Sequence, residues 1–418
     1  MKQSVRVALF LVLCLGLSVS GVSGGVPSVL ATGAGAWCHL ALEEEKLLCL
    51  VIDPSTPSTL YAGSGGGGVS RSTDGGSTWT VVNEGLADPW VWTLAVHPLA
   101  PSVLYAGTDS GGVFCSPDSG ETWIPVNSGL TNLHIRSLAV NPLVPSTLYA
   151  GTTGGVFRST DSGAKWSAVD AGLASSQVSS LVINPLVPST LYAGTTGGVF
   201  RSINGGDTWT IASTGLTNPW VWSLAIDLQT PEIVYAGTVG GVFRSANGGT
   251  TWSAVNSGLT DLWILSLAVD PLTCTTVYAG TGSGGVLCST NSGTTWTAVD
   301  GGLTDPWVWS IAVDPSTPAI LYAGTGGGGL FQYDAVSAFV LETSVSPSDG
   351  GLIGVSPGGM SYARGTVVTL AAVAAPGYTF AGWSGDMIGT QDMAAVTMNA
   401  DMVVTALFSP NTCTLIVD

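Results

Sequence analysis

Residues 138–169 read LAVNPLVPSTLYAGTTGGVFRSTDSGAKWSAV, and this stretch decides the fold. Leu138-Ala139-Val140 is short, apolar and β-branched at its end, and a Pro-rich turn follows. Thr147-Leu148-Tyr149-Ala150 is a second strand-like piece. Gly154-Gly155 then break the chain before Val156-Phe157-Arg158. A tight polar turn leads to Lys165-Trp166-Ser167-Ala168-Val169. Short apolar pieces separated by Gly, Pro, Asn and Asp turns predict four antiparallel strands.

The stretch is one copy of a repeat. Tyr-Ala-Gly recurs at Tyr61, Tyr105, Tyr149, Tyr192, Tyr235, Tyr278 and Tyr322, at intervals of 43 or 44 residues. Four short strands per period, repeated in tandem, predict an all-β chain whose residues 36–335 form a seven-bladed β-propeller. The seventh copy stops after its third strand, near Gly329-Leu330-Phe331-Gln332-Tyr333. The missing strand is supplied from the other end, where Ala36-Trp37-Cys38-His39-Leu40-Ala41 precedes the first copy. An N-terminal strand completing the last blade would cover the edge that an incomplete blade leaves open.

Composition narrows the function. Of 418 residues, 58 are Gly and 15 are Trp, and only 9% are Asp, Glu, Lys or Arg. An average soluble domain carries roughly 25% charged residues. The net charge is −17, which argues against nucleic acid and anionic membranes as partners. Lys2 and Arg6 precede an apolar run from Val7 to Val19, and small residues Ser20-Gly21-Val22-Ser23-Gly24 follow. This is the pattern of a secretory signal peptide over residues 1–24. The mature chain is then expected to have no membrane span and to lie outside the cell or on its surface, as a monomer. The cysteines form no metal pattern and no dense disulfide scaffold. One pair, Cys274 with Cys288, is expected on the face of the sixth blade that carries both its first and third turns. No cofactor is expected.

The turn between the third and fourth strands has its own signature. It runs Ser72-Thr73-Asp74-Gly75-Gly76-Ser77-Thr78-Trp79 in the first copy, and recurs from Ser116 to Trp123, Ser159 to Trp166, Ser202 to Trp209, Ser245 to Trp252 and Ser289 to Trp296. This resembles the Asp-box, or bacterial neuraminidase repeat, S-x-D-x-G-x-x-W. A short carboxylate or amide there accepts N–H groups of its own turn, and Gly at the fifth position permits positive φ. The third position is Asp74, Asp118 and Asp161 in three copies but Asn204, Asn247 and Asn291 in the others. Asn keeps the acceptor and loses the charge, so the position is read as structural, with no metal and no catalytic role.

Asp-box propellers resembling this one include sialidases, xyloglucan-active glycoside hydrolases, sortilin-type receptors and photosystem II assembly factors. A sialidase resemblance would imply three converging Arg, whereas Arg71, Arg158, Arg201 and Arg244 share one repeat position beside the turn and only Arg136 lies elsewhere. A xyloglucanase resemblance would imply an acid pair between two propellers. The candidate acids Asp88, Asp261 and Asp305 occupy one loop position that is Asn132, Ser175 and Asn218 in other copies, which suits turn residues. The single ring resembles the photosystem assembly factors most, but the basic patch that resemblance implies is missing.

The loops before the innermost strands carry Asp88-Pro89-Trp90-Val91-Trp92, Asn218-Pro219-Trp220-Val221-Trp222, Asp261-Leu262-Trp263 and Asp305-Pro306-Trp307-Val308-Trp309. Such loops meet at one mouth of the central channel. Trp90, Trp220, Trp263 and Trp307 either pack between blades or form an exposed partial ring that stacks on a sugar. The expected function is binding or scaffolding without catalysis, toward polysaccharide (a neutral one suits the low charge) or protein; the alternative is a polysaccharide-active hydrolase.

After Asp334 the repeat ends. Residues 339–408 contain Gly365-Thr-Val-Val-Thr-Leu, Gly377-Tyr-Thr-Phe-Ala-Gly-Trp383-Ser-Gly-Asp386 and Val396-Thr-Met-Asn-Ala-Asp. They resemble the divergent internalin B-repeat of bacterial surface proteins, which implies a small, β-grasp-like module used as a stalk or spacer. Residues 409–418 look like the start of a further copy.

Overall fold

The computed structural model describes residues 37–43, 45–175, 177–334, 339–359, 361–362, 366–398 and 401–411. The expected signal peptide and most of the expected further copy fall outside them.

Every described element is a strand or a turn. Seven four-stranded antiparallel sheets follow the repeat. In the third blade the strands are Ile135–Val140, Leu148–Thr152, Gly155–Ser159 and Trp166–Ala168, paired in that order. The innermost strands of successive blades pack side by side, and Leu47–Ile52 of the first blade packs on Val308–Val313 of the seventh. The ring is therefore closed.

The clasp forms as the sequence implies. Trp37–Ala41 pairs antiparallel with Leu330–Asp334, Trp37 opposite Tyr333 and His39 opposite Phe331. Trp37 is buried, donates its backbone N–H to Gly301 O at 2.7 Å and its indole N–H to Val299 O. It thus takes the place of the tryptophan that the seventh copy lacks.

Packing between blades is aliphatic and aromatic. Tyr61, Val69 and Val82 of the first blade meet Val91, Leu104, Phe114 and Trp123 of the second, all buried. From the second blade to the sixth, the Trp that ends the turn between strands three and four donates its indole N–H back to the preceding blade, as Trp166 does to Val126 O and Trp209 to Val169 O, both at 2.7 Å. This Trp fills the gap between blades and adds a hydrogen bond across it.

The turn itself works as a cap. Ser72 Oγ and the Thr78 N–H donate to Asp74 Oδ1 at 2.8 and 2.9 Å. Where the residue is Asn204, the Thr208 N–H still donates to Oδ1 at 3.0 Å, and the amide donates in turn to Thr208 Oγ1 at 2.9 Å. The fifth position holds φ between 81° and 93° in all six copies, so Gly is required there. Ser119, Ser162 and Ser292 precede it with φ near 60°, where the other copies have Gly.

The expected Cys274–Cys288 bridge is absent, and both thiols are free. Cys288 lies in mid-strand opposite Tyr278 and is buried against it. Cys274 sits in the preceding turn with its Sγ toward Pro271 O. A shared face of one blade did not bring the two side chains together.

The C-terminal residues form two further sheets. One orders Ser361–Tyr362, Phe339–Ser346, Met402–Pro410 and Tyr378–Gly385; the other orders Gly351–Ser356, Thr366–Ala374 and Met393–Met398. Their facing sides bury Val368, Leu370, Trp383, Met398, Val404 and Phe408. Trp383 and Phe380 belong to this core, ring to ring at 5.2 Å.

Candidate functional site

The innermost strand of every blade carries a β-bulge at its second residue. In the second blade Val91 pairs with Thr108 and Thr93 with Gly107, so Trp92 is the extra residue. The same slip leaves Arg136, Ser179, Trp222, Leu265 and Trp309 unpaired at their positions, and Leu48 in the first blade. A bulge re-aims a side chain. The hydroxyl that follows it anchors the next blade: Ser137 Oγ accepts the Leu181 N–H at 3.0 Å, and Ser310 Oγ accepts the Leu50 N–H at 3.0 Å across the closure.

Seven tryptophans consequently make one connected cluster at this mouth. The inner three touch across blades: Trp92 to Trp309 and Trp309 to Trp222, each at 6.4 Å between ring centres. The outer four join them. Trp90 lies 6.4 Å from Trp92, Trp220 6.2 Å from Trp222, and Trp263 6.2 Å from Trp307, which is 6.2 Å from Trp309. The outer rings are open to solvent, at 39% for Trp90, 48% for Trp220, 36% for Trp263 and 42% for Trp307. These four do not pack as buried plugs between blades.

The loops that carry them are held on both sides. The Asp88, Asp261 and Asp305 carboxylates each accept the backbone N–H of the Trp two residues on, at 2.9 to 3.0 Å. Their second oxygens reach the loop between strands two and three of the same blade: Ser110 and Gly111, Ser283, and Gly328. Asn218 makes the first of these bonds for Trp220, also at 3.0 Å. Burial opposes ionisation of Asp88, but hydrogen bonds from Trp90, Ser110 and Gly111 outweigh it and hold the carboxyl below its usual value. Backbone bonds such as Gly282 N–H to Trp263 O at 2.9 Å and Gly326 N–H to Trp307 O at 2.8 Å complete the seating. Gly282 is bare because a Cβ there would stand 2.7 Å from the Trp263 ring.

Two cations complete the mouth. The Arg136 guanidinium lies 3.9 Å over Trp92 and 3.3 Å from Asp109, which also accepts the Trp92 indole N–H at 2.9 Å. The Lys46 ammonium lies 4.3 Å over Trp309, and partial burial lowers its pKa. Arg136 is visible in the sequence as an odd residue in a Trp slot. Lys46 is not, because only closure of the ring brings the first blade against Trp309, and Asp109 is not, because its partners Trp92 and Arg136 lie on the inner strands of two neighbouring blades. Arg71 and Arg158 pair with the turn of the next blade instead, Arg71 with Ser119 O at 3.0 Å and Glu121 at 2.7 Å, and Arg158 with Gly205 O and Asp207, both at 2.8 Å.

The opposite mouth is different in kind. A recess of about 550 Å³ there is lined by the far halves of the inner strands, with Leu50, Ile52, Val96, Leu267 and Val313 among them, and by Pro54, Pro98, Pro271 and Pro315. It presents no charged side chain. Among the described residues no cluster of His, Cys, Asp and Glu could hold a metal, and no helix is long and apolar enough to cross a membrane.

Residues 341–412 match the divergent InlB B-repeat domain family. The comparison of folds concerns the ring. A GH74 xyloglucanase from Xanthomonas campestris is similar with a TM-score of 0.60 at 18% identity, over 71% of this chain and 53% of that one. The extracellular domain of BT4673, a putative one-component system of B. thetaiotaomicron, gives 0.57 at 20%, over 74% and 40%. YCF48 from Cyanidioschyzon merolae gives 0.55 at 16%, over 72% and 98%. The chain thus spans about half the length of the xyloglucanase it matches. No curated protein sequence matches it. At these identities the likeness is one of fold, the seven-bladed propeller.

Proposed function

We propose that this is an extracellular binding protein whose propeller takes a polysaccharide at its tryptophan mouth and performs no chemistry on it. The observation that carries the reading is the exposed arc of Trp90, Trp220, Trp263 and Trp307. Large flat apolar faces held on anchored loops are costly to expose unless something covers them, and a pyranose ring presents a matching flat C–H face. The acids nearest the arc support the non-catalytic reading, since Asp88 and Asp261 spend both carboxylate oxygens on backbone and hydroxyl donors. A hydrolase needs a carboxylic acid free to donate a proton. On this reading the leader at residues 1–24 exports the chain and the C-terminal module serves as a spacer.

The test is a glycan-binding screen on the full chain beside Trp220→Ala and Trp307→Ala, with a reducing-sugar assay on every glycan bound. Binding that both substitutions weaken at least tenfold, without sugar release, is the expected result. Unchanged binding in both variants, or turnover of a bound glycan, overturns the reading.

A further inference from the structure

The tryptophan mouth has a charge character that composition alone conceals. Glu45, Asp88, Asp109, Asp261 and Asp305 stand in the loops of this face, against Lys46 and Arg136. Arg136 is already spent on Asp109. The loops therefore carry an excess of acid around exposed indole faces, on a chain whose net charge is −17. An indole face attracts a cation through its quadrupole, and nearby carboxylates strengthen that field.

The cluster shows how a cation sits on it. Two of its seven rings are already covered by the chain's own cations, Arg136 on Trp92 and Lys46 on Trp309. Both covered rings belong to the inner, bulged positions. Among the described residues no cation covers the four outer rings, and Trp90, Trp263 and Trp307 each follow an aspartate of the same loop by two residues. A neutral glycan would use the faces and leave the acid excess unanswered. An acidic glycan would be repelled by it.

We propose that the ligand of this mouth is an amino-polysaccharide, a polymer whose sugar rings carry free, protonated amines. The inference rests on the polysaccharide reading above and adds its charge. Ring faces stack on the outer tryptophans, and the ammonium groups sit in the field of the Asp88, Asp261 and Asp305 carboxylates, whose charge remains although loop donors hold their oxygens. A cationic peptide satisfies the charge but offers no series of flat C–H faces to a rigid arc.

The experiment measures affinity of the full chain for a glucosamine hexamer, an N-acetylglucosamine hexamer, cellohexaose and a lysine hexapeptide by calorimetry at slightly acid pH. The glucosamine hexamer is expected to bind about tenfold tighter than its acetylated form, the scale of one or two cation–π contacts. That advantage should shrink as salt rises. The double variant Asp261→Asn, Asp305→Asn should lose most of it, while keeping the fold. Asn already fills the same slot at Asn218 with the same bond to the following Trp. Trp220→Ala should weaken all three sugars together. Equal affinity for charged and acetylated hexamers overturns the amine inference and leaves the polysaccharide reading standing. Binding of the peptide as tightly as the glucosamine hexamer overturns the choice of a sugar polymer. No sugar bound at all overturns both readings.

Discussion

Trp37→Ala tests the closure of the ring most directly. Its side chain is 3% exposed, tilted against Tyr333 at 5.2 Å, and bonded by its indole to the sixth blade. Truncating a buried Trp costs roughly 3–5 kcal/mol. For a cooperative unit of roughly 300 residues the unfolding entropy is about 0.6 kcal/mol per degree, so the melt should fall by about 5–8 °C. The control is Trp79→Ala, in the first blade, whose preceding blade in the ring carries the clasp as its outer strand. Trp79 is only half-buried and donates its indole N–H to Gly76 O of its own turn at 2.9 Å, with no bond to a neighbouring blade. Its loss should be visibly smaller. Differential scanning calorimetry on both variants, with far-UV circular dichroism to confirm native sheet, makes the comparison. If Trp37→Ala melts within a degree of the parent, or Trp79→Ala is the worse of the two, the clasp does not hold the ring and the reasoning fails.

Other outcomes follow from the same geometry. Hydrogen bonds from Thr78 and Ser72 hold the Asp74 carboxyl at about 2, below its usual value; a depressed folded pKa stabilises above the unfolded value and the gain is lost as pH falls toward 2. Asp74→Asn should therefore flatten that part of the acid melt while leaving the neutral melt nearly unchanged, and an acid limb identical to the parent's would contradict this. Native alkylation at mildly alkaline pH followed by peptide mapping should mark exposed Cys38 and spare Cys49 and Cys288, whose thiols burial raises to about 12 and about 11. The same map should recover Cys274 and Cys288 as unlinked thiols. Gly282→Ala should push the Trp263 ring off its seat, seen as a shift in tryptophan emission and weaker ligand binding with little change in the melt. Ser162→Gly should leave the melt equal or slightly raised, because a side chain at φ 59° is relieved.

The fold was readable because it repeats. A Tyr-Ala-Gly every 43 or 44 residues marks the same strand in each blade, and a missing fourth strand at one end matched a surplus strand at the other. The turn chemistry was readable for the same reason, since Asn replaces Asp in three copies and keeps the oxygen that accepts the turn's N–H. The site was readable in part. The outer tryptophans sit in loops whose polar lead residues, Asp88 and Asn218 among them, announce a turn. The inner ones alternate with buried valines, and alternation alone does not show that a bulge turns Trp92, Trp222 and Trp309 onto one another. The contact of Lys46 with Trp309 joins the two ends of the ring and that of Asp109 with Arg136 joins neighbouring blades, and neither had a local signal. The disulfide expectation failed on the same ground: repeat position places Cys274 and Cys288 on one face but not side chain to side chain.

The clasp also fixes an order of events in the making of the protein. Trp37 leaves the ribosome early, yet its partner Tyr333 is the last strand of the ring. At about 5–20 residues per second the first strand waits roughly 15–60 s for the segment it must join. During that interval six blades can assemble from neighbours in sequence, while the lead strand stays unpaired and its tryptophan unburied. Ring closure is thus the final, longest-range step of folding. A nascent chain halted before residue 330 would present both the open first blade and a free strand that fits it nowhere.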